Sequence, residues 1–197
     1  MASVALHLLG GLACSTPPPD APPPPALEPA WERVALATVH VDVNMPTPVE
    51  HSRAQITDAA GNALDVEELS ATRDGGATVF TASCTTTPRD ATSAARLDTL
   101  RANLRTSPGL ETLAERDVQG SGWTGWRARH TLARGESRFE SETLVLVAGE
   151  ATDLGVVQCQ LQVLVDPAAS RATQADRDRF LGSVRLDDRG AGPSSGP

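Results

Sequence analysis

His40 and Asp42 stand two residues apart in the sequence, with His51 close behind. In a strand that spacing puts an imidazole and a carboxylate on one side, which are the donor types of a loosely held metal. It is also the make-up of an ordinary solvated strand face, and that reading is preferred here. His130 shares the alternation of Trp126, Ala128 and Leu132, so it falls on an apolar face. Catalysis there would need a carboxylate or nucleophile brought to it in space. Otherwise it is a hydrogen-bonded residue at the edge of the core. Glu67-Glu68, Asp176 with Asp178, and Asp187-Asp188 offer paired carboxylates of the glycosidase type, but are read as solvated surface. The sequence contains no Cys-x-x-Cys, no His-Glu-x-x-His, no Asp-rich calcium loop and no Gly-x-Ser-x-Gly elbow. Gly120-Ser121-Gly122 lacks the third glycine and the lysine of a phosphate cradle. No catalytic residue, metal or cofactor is therefore expected, and the chain is not read as an enzyme.

Two further sets of residues carry expectations. Gly120 to Trp126 reads as a mobile loop entering a strand, with Trp123 exposed on it. Trp123, Trp126, Arg127 and Arg129 then form the surface patch most worth testing for binding. Arg127 and Arg129 lie on the face opposite Trp126. A four-residue hairpin loop would set Arg129 across from Glu140 and Arg127 across from Glu142. The cysteines are Cys14, Cys84 and Cys159. Cys84 shares parity with Phe80 and Ala82, and Cys159 with Val157, Leu161 and Val163, so both face the interior. If their strands are neighbours they can form a disulfide closing a loop of about 76 residues. If not, they are two separate buried thiols. Strand order decides between these, and one sequence does not contain it.

The elements that must position these residues follow from periodicity. Val39, Val41, Val43 and Met45 alternate with polar residues as one half-buried strand, closed by Pro46 and Pro48. Strands are expected at Ser52–Thr57, Val66–Thr72 and Ala77–Thr86, with turns at Ala60-Gly61-Asn62 and Asp74-Gly75-Gly76. Asp90 reads as a helix N-cap, and Leu97, Leu100 and Leu104 form one helical face that ends at Ser107-Pro108-Gly109. Strands follow at Trp126–Leu132, Phe139–Ala148 and Leu154–Val165, the last two apolar on both faces. A helix is expected from Ala168 to Gly182. Strands, helix, strands and helix with hairpin-length turns describe an α+β domain over residues 31–188.

Outside that domain the composition changes. The apolar stretch in Met1–Ala13 has the shape of a signal peptide. Gly11-Leu12-Ala13-Cys14 resembles the bacterial lipoprotein signal, which implies lipid on Cys14 as the mature N-terminus. Eight of the thirteen residues from Pro17 to Pro29 are proline. Such a run is extended and semi-rigid, about 40 Å long at ~3.1 Å per residue, so residues 14–30 read as a lipidated cysteine with a spacer. Residues 189–197 form a Gly/Ser/Pro tail, expected to be disordered. The 197 residues carry a net charge of −8, and every basic residue except histidine is arginine. An acidic chain with no basic block is not expected to bind nucleic acid. The expected partners are a membrane, through the lipid anchor, and an envelope protein. The expected location is the outer membrane, facing the periplasm.

Four segments together resemble the PsbP-like and DcrB-like superfamily across roughly residues 31–187. They are Val43-Asn44-Met45-Pro46-Thr47-Pro48, the helical Leu97-Asp98-Thr99-Leu100, the passage from Val118-Gln119-Gly120 to Gly125-Trp126-Arg127, and the closing Arg179-Phe180-Leu181-Gly182-Ser183-Val184-Arg185-Leu186. The resemblance implies an antiparallel sheet of about six strands sandwiched between helices. It implies no activity and carries no catalytic residues. A lipid-anchored binding or assembly module is the functional expectation, against a secreted hydrolase using His130 and a DcrB-like chaperone of the cytoplasm.

Overall fold

Of the alternating residues, Val41, Val43 and Met45 form a strand at the centre of a small sheet, whereas Val39 lies in the turn before it. β1 (Trp31–Leu36) turns through residues 37–40 into β2 (Val41–Pro46), and a short β10 (Arg185–Leu186) pairs with the other side of β2. Val41, Val43 and Met45 are fully buried, as period two requires of a sheet with one face covered. The computed structural model describes residues 30–186 except 58–60, 62, 88–92, 136 and 153–154. The signal segment, Cys14, the proline spacer, the Asp90 cap, Ala60, Asn62, Asp187-Asp188 and the tail lie outside the described residues.

The other strands form one antiparallel sheet of seven. They are β3 (Glu50–Thr57), β4 (Ala63–Arg73), β5 (Thr78–Thr87), β6 (Leu110–Gly120), β7 (Trp123–Arg134), β8 (Ser137–Thr152) and β9 (Gly155–Val165), in the spatial order β3-β4-β5-β9-β8-β7-β6. Two runs of hairpins thus meet at one seam, β5 against β9. The tight β4–β5 turn needs left-handed backbone at three successive residues, Asp74, Gly75 and Gly76 (φ 55°, 65° and 101°), and glycine supplies two of them.

The two helices lie on opposite faces of this sheet. α2 (Gln174–Leu181) joins the small sheet over one face, where Phe80 meets Trp31 and Phe180 edge-on at centroid distances of 5.8 and 5.5 Å. α1 (Ser93–Arg105) covers β6–β8 on the other, with Leu97, Leu100 and Leu104 packed on Trp126, Ala128 and Val145. The class is α+β, as expected, but the layering is not. A three-stranded sheet, not a helix alone, closes the larger core, and ten strands rather than about six occur among the described residues.

Periodicity missed β1 and β6 because neither alternates. β6 is an edge strand on which most residues are exposed, and β1 has few buried positions. The second helix starts at Gln174 rather than Ala168. Thr173 and Asp176 make a capping box there, each side chain accepting from the other's backbone N–H. Asp166 folds the preceding segment into a turn, its carbonyl accepting from the amides of Ala169 and Ser170. β9 also departs from expectation: Leu161, Val163 and Val165 are buried, but Gln158, Gln160 and Gln162 occupy the other face.

Candidate functional site

Glu67 is not solvated surface. It shares the β4 face of Leu69 and Ala71 and is 1 % exposed. Its Oε2 accepts from the Thr38 amide and hydroxyl, at 2.9 and 2.5 Å. Its Oε1 meets His51 Nε2 at 2.7 Å and accepts from Arg53 Nη2 at 2.9 Å. Burial alone would raise its pKa, but the hydrogen bonds from Thr38, Arg53 and His51 outweigh it and hold the carboxyl at about 2. A carboxylate ionised throughout the physiological range neither gives nor takes a proton. It orients its partners and ties the β1–β2 turn to the large sheet. The parity of Glu67 with Leu69 and Ala71 was the available signal of this burial.

The residues considered as metal ligands do not converge. His40 occupies the β1–β2 turn at φ 54°, Asp42 pairs with Arg33 Nε at 3.0 Å, and His51 is held by Glu67. No group of three His, Cys, Asp or Glu side chains among the described residues is placed to hold a metal ion. His130 is 2 % exposed, and its Nδ1 lies 3.2 Å from the Thr112 hydroxyl. Burial lowers its pKa, and the field of Glu115 acts the other way.

The four residues of the expected patch do not share a surface. Trp126 is 1 % exposed beneath α1, whereas Trp123 is half-buried against the larger core on the opposite face. Gly120–Trp126 is not a loop but the β6–β7 hairpin, turning at Ser121-Gly122. Arg127 and Arg129 do lie on the face opposite Trp126, but the β7–β8 loop has two residues, not four. The register therefore sets Arg129 across from Glu142 and Arg127 across from Leu144. Arg127 still reaches Glu142 Oε1 diagonally, at 2.7 Å from Nε, and its Nη2 reaches Asp178 on α2 at 2.5 Å. The hydrogen bond from Arg127 holds the Asp178 carboxyl below its usual range, against a smaller opposing effect of burial. Arg129 is exposed. Cys84 and Cys159 stand opposite each other across the β5–β9 seam, joined by a disulfide with Cα atoms 4.1 Å apart.

Two concavities flank β6 and β7. A groove of about 570 Å³ opens between α1 and the hairpin, lined by Ala94, Leu97, Arg101, Val118, Gln119 and Thr124 among others. Arg101 lies over the Trp126 ring at 5.6 Å and pairs with Asp117, and Arg101 and Arg105 both reach Glu115. These charged contacts moor α1 along the sheet edge. A smaller cleft, about 240 Å³, opens beside α2 and contains Arg116, Arg127, Arg129, Glu142 and Asp178. Sequence reasoning named Arg127 and Arg129 but missed Arg116, because β6 was not recognised as a strand and its pairing with β7 was not available.

No protein family matches the chain by sequence, and no curated protein does. Solved structures do resemble it. LpqN of Mycobacterium tuberculosis, described as involved in cell envelope biogenesis, superposes with a TM-score of 0.50 at 11% identity, over 80% of this chain and 91% of LpqN. CyanoP, the cyanobacterial PsbP of Synechocystis sp. PCC 6803, gives a TM-score of 0.49 at 10% identity, over 81% of this chain and 94% of its own. The Pseudomonas aeruginosa immunity protein TplEi gives 0.44 at 16% identity, over 64% of this chain and 45% of that one. At such identities the LpqN likeness is one of fold. Among the described residues no helix is long and apolar enough to cross a membrane.

Proposed function

We propose that this protein is a cell-envelope binding or assembly module. Lipid on Cys14 holds it to a membrane, the outer membrane facing the periplasm, and the Pro17–Pro29 spacer projects the folded domain toward a protein partner. The observation that carries the binding reading is the groove of about 570 Å³ between α1 and the β6–β7 hairpin, with apolar walls and charged rims in one place. Support for the envelope comes from the LpqN fold likeness, since LpqN is a protein of envelope biogenesis. The sequence resemblance of residues 31–187 to PsbP-like and DcrB-like proteins belongs to the same reading, and the antiparallel sheets with a helix on each face support it.

Mass spectrometry of the mature N-terminus tests the anchor. The expected result is a chain beginning at Cys14 with acyl groups attached, and an unmodified chain retaining Met1 overturns it. The groove is tested separately. Ala94 is exposed on α1 at the groove wall, so Ala94→Arg obstructs the groove without removing an interior contact. A partner held by the native protein is expected to be lost from A94R, and one retained undiminished places binding elsewhere.

A further inference from the structure

β6 and β7 present three arginines on the face that α2 approaches. Arg116 stands directly across the ladder from Arg127, and Arg129, two residues along β7, is opposite Ala114. Like charges directly opposed in an antiparallel pair are destabilising, and here they occur in a chain whose net charge is −8. Arg127 is neutralised by Glu142 and Asp178. Arg116 and Arg129 are both exposed and make no direct hydrogen bond or ion pair among the described residues, although the charge of Arg116 also acts on the Asp178 carboxylate. Glu142, although opposite Arg129 in register, directs its carboxylate oxygens to Arg127 and Gln174. Arg116 and Arg129 both line the cleft of about 240 Å³ beside α2, together with Arg127 and the carboxylate residues Glu115, Glu142 and Asp178.

We propose that this cleft is a binding site for a phosphate group, held between Arg116 and Arg129. A guanidinium presents a planar fork of N–H donors, and a single carboxylate saturates one such fork. Two such forks, carried on neighbouring strands that line one cleft, match the additional acceptor oxygens of a phosphate. The cleft is smaller than the roughly 300–1,000 Å³ of pockets that enclose a drug-sized ligand, so it admits the phosphate and leaves the rest of its carrier outside. That carrier is either a phospholipid headgroup or a soluble phosphate ester. The site lies apart from the α1 groove and does not depend on lipid at Cys14.

Calorimetric titration of the full chain, produced without lipid, with inorganic phosphate at constant ionic strength tests the site. Saturable binding is expected, weakened at least tenfold in the R116Q/R129Q double variant and unchanged in R134Q, which alters an exposed arginine at the far end of β7. Thermal midpoints of all three proteins check that folding is intact. Cosedimentation with phosphatidate-containing vesicles separates the sources. Vesicle binding lost in the double variant identifies a lipid headgroup, and phosphate binding without vesicle binding identifies a soluble ester. Absence of saturable phosphate binding by the native chain, or equal affinity in R116Q/R129Q, overturns the proposal.

Discussion

The carboxylate of Glu67, on β4 of the large sheet, accepts both the amide and the hydroxyl of Thr38, in the turn that links β1 to β2. One side chain thereby joins the two sheets at a point where apolar packing gives way to polar groups. Its buried charge is tolerated because each oxygen is satisfied, Oε2 by Thr38 and Oε1 by His51 and Arg53.

The pH dependence of stability follows from this site. The Glu67 pKa falls from 4.5 to about 2 on folding. A depressed carboxylate contributes stability above its unfolded pKa and loses it as the pH drops through the folded one. The contribution is therefore present at neutral pH and disappears between about pH 4.5 and 2. At 1.36 kcal/mol per pH unit it is on the order of 3 kcal/mol. Glu67→Gln is expected to lower stability by a similar amount at pH 7, with the difference from the native protein shrinking toward pH 2. Urea denaturation across that range measures it, and a pH-independent difference would refute the assignment.

Arg127→Gln is expected to be costly. It leaves the Glu142 side chain, 5 % exposed, without its cation, and breaking one partner of a buried pair costs about 3–5 kcal/mol. Replacing both residues with leucine removes the stranded charge, so R127L/E142L is expected to recover most of that loss in chemical denaturation.

Cys84–Cys159 closes a loop with a sequence separation of 75 across the β5–β9 seam. The chain-entropy model values such a closure at roughly 4 kcal/mol. Titration of the denatured, unreduced protein is expected to find neither thiol free, and C84A/C159A is expected to lower the thermal midpoint by many degrees. Two reactive thiols in the unreduced protein would rule the bridge out.

Gly125 pairs with Leu146, and a Cβ there would fall inside van der Waals contact with the Val145 carbonyl oxygen. Backbone cannot swing aside as a flexible side chain does. Gly125→Ala is therefore expected to cost 1–3 kcal/mol or more, in the range of overpacked cores, and to disturb the α1 groove that Gly125 lines. A native-like thermal midpoint in G125A would show that the two strands separate easily.

Much of the structure was legible in the alternation of its residues. Val41, Val43 and Met45 face the core because a strand has period two, and Leu97, Leu100 and Leu104 meet Trp126 because a helix repeats every 3.6 residues. The same parity put Cys84 and Cys159 on interior faces and His130 on an apolar one. It could equally have identified Glu67 as buried, since Glu67 is in phase with Leu69 and Ala71. β1 and β6 were illegible because few of their positions are buried, and those few do not recur at every second residue along the strand.

The sequence by itself determined the phase of each segment, meaning which residues point together, because that depends only on local backbone geometry. Tertiary structure alone decided which phases meet. Placing β9 between β5 and β8 sets Cys159 opposite Cys84. The two-residue β7–β8 loop moves Arg129, rather than Arg127, across from Glu142. Pairing β6 with β7 puts Arg116 across from Arg127 and so creates the charged cleft. These are relationships between segments far apart in the chain, fixed by strand order and register, and those depend on how all the apolar faces are buried at once.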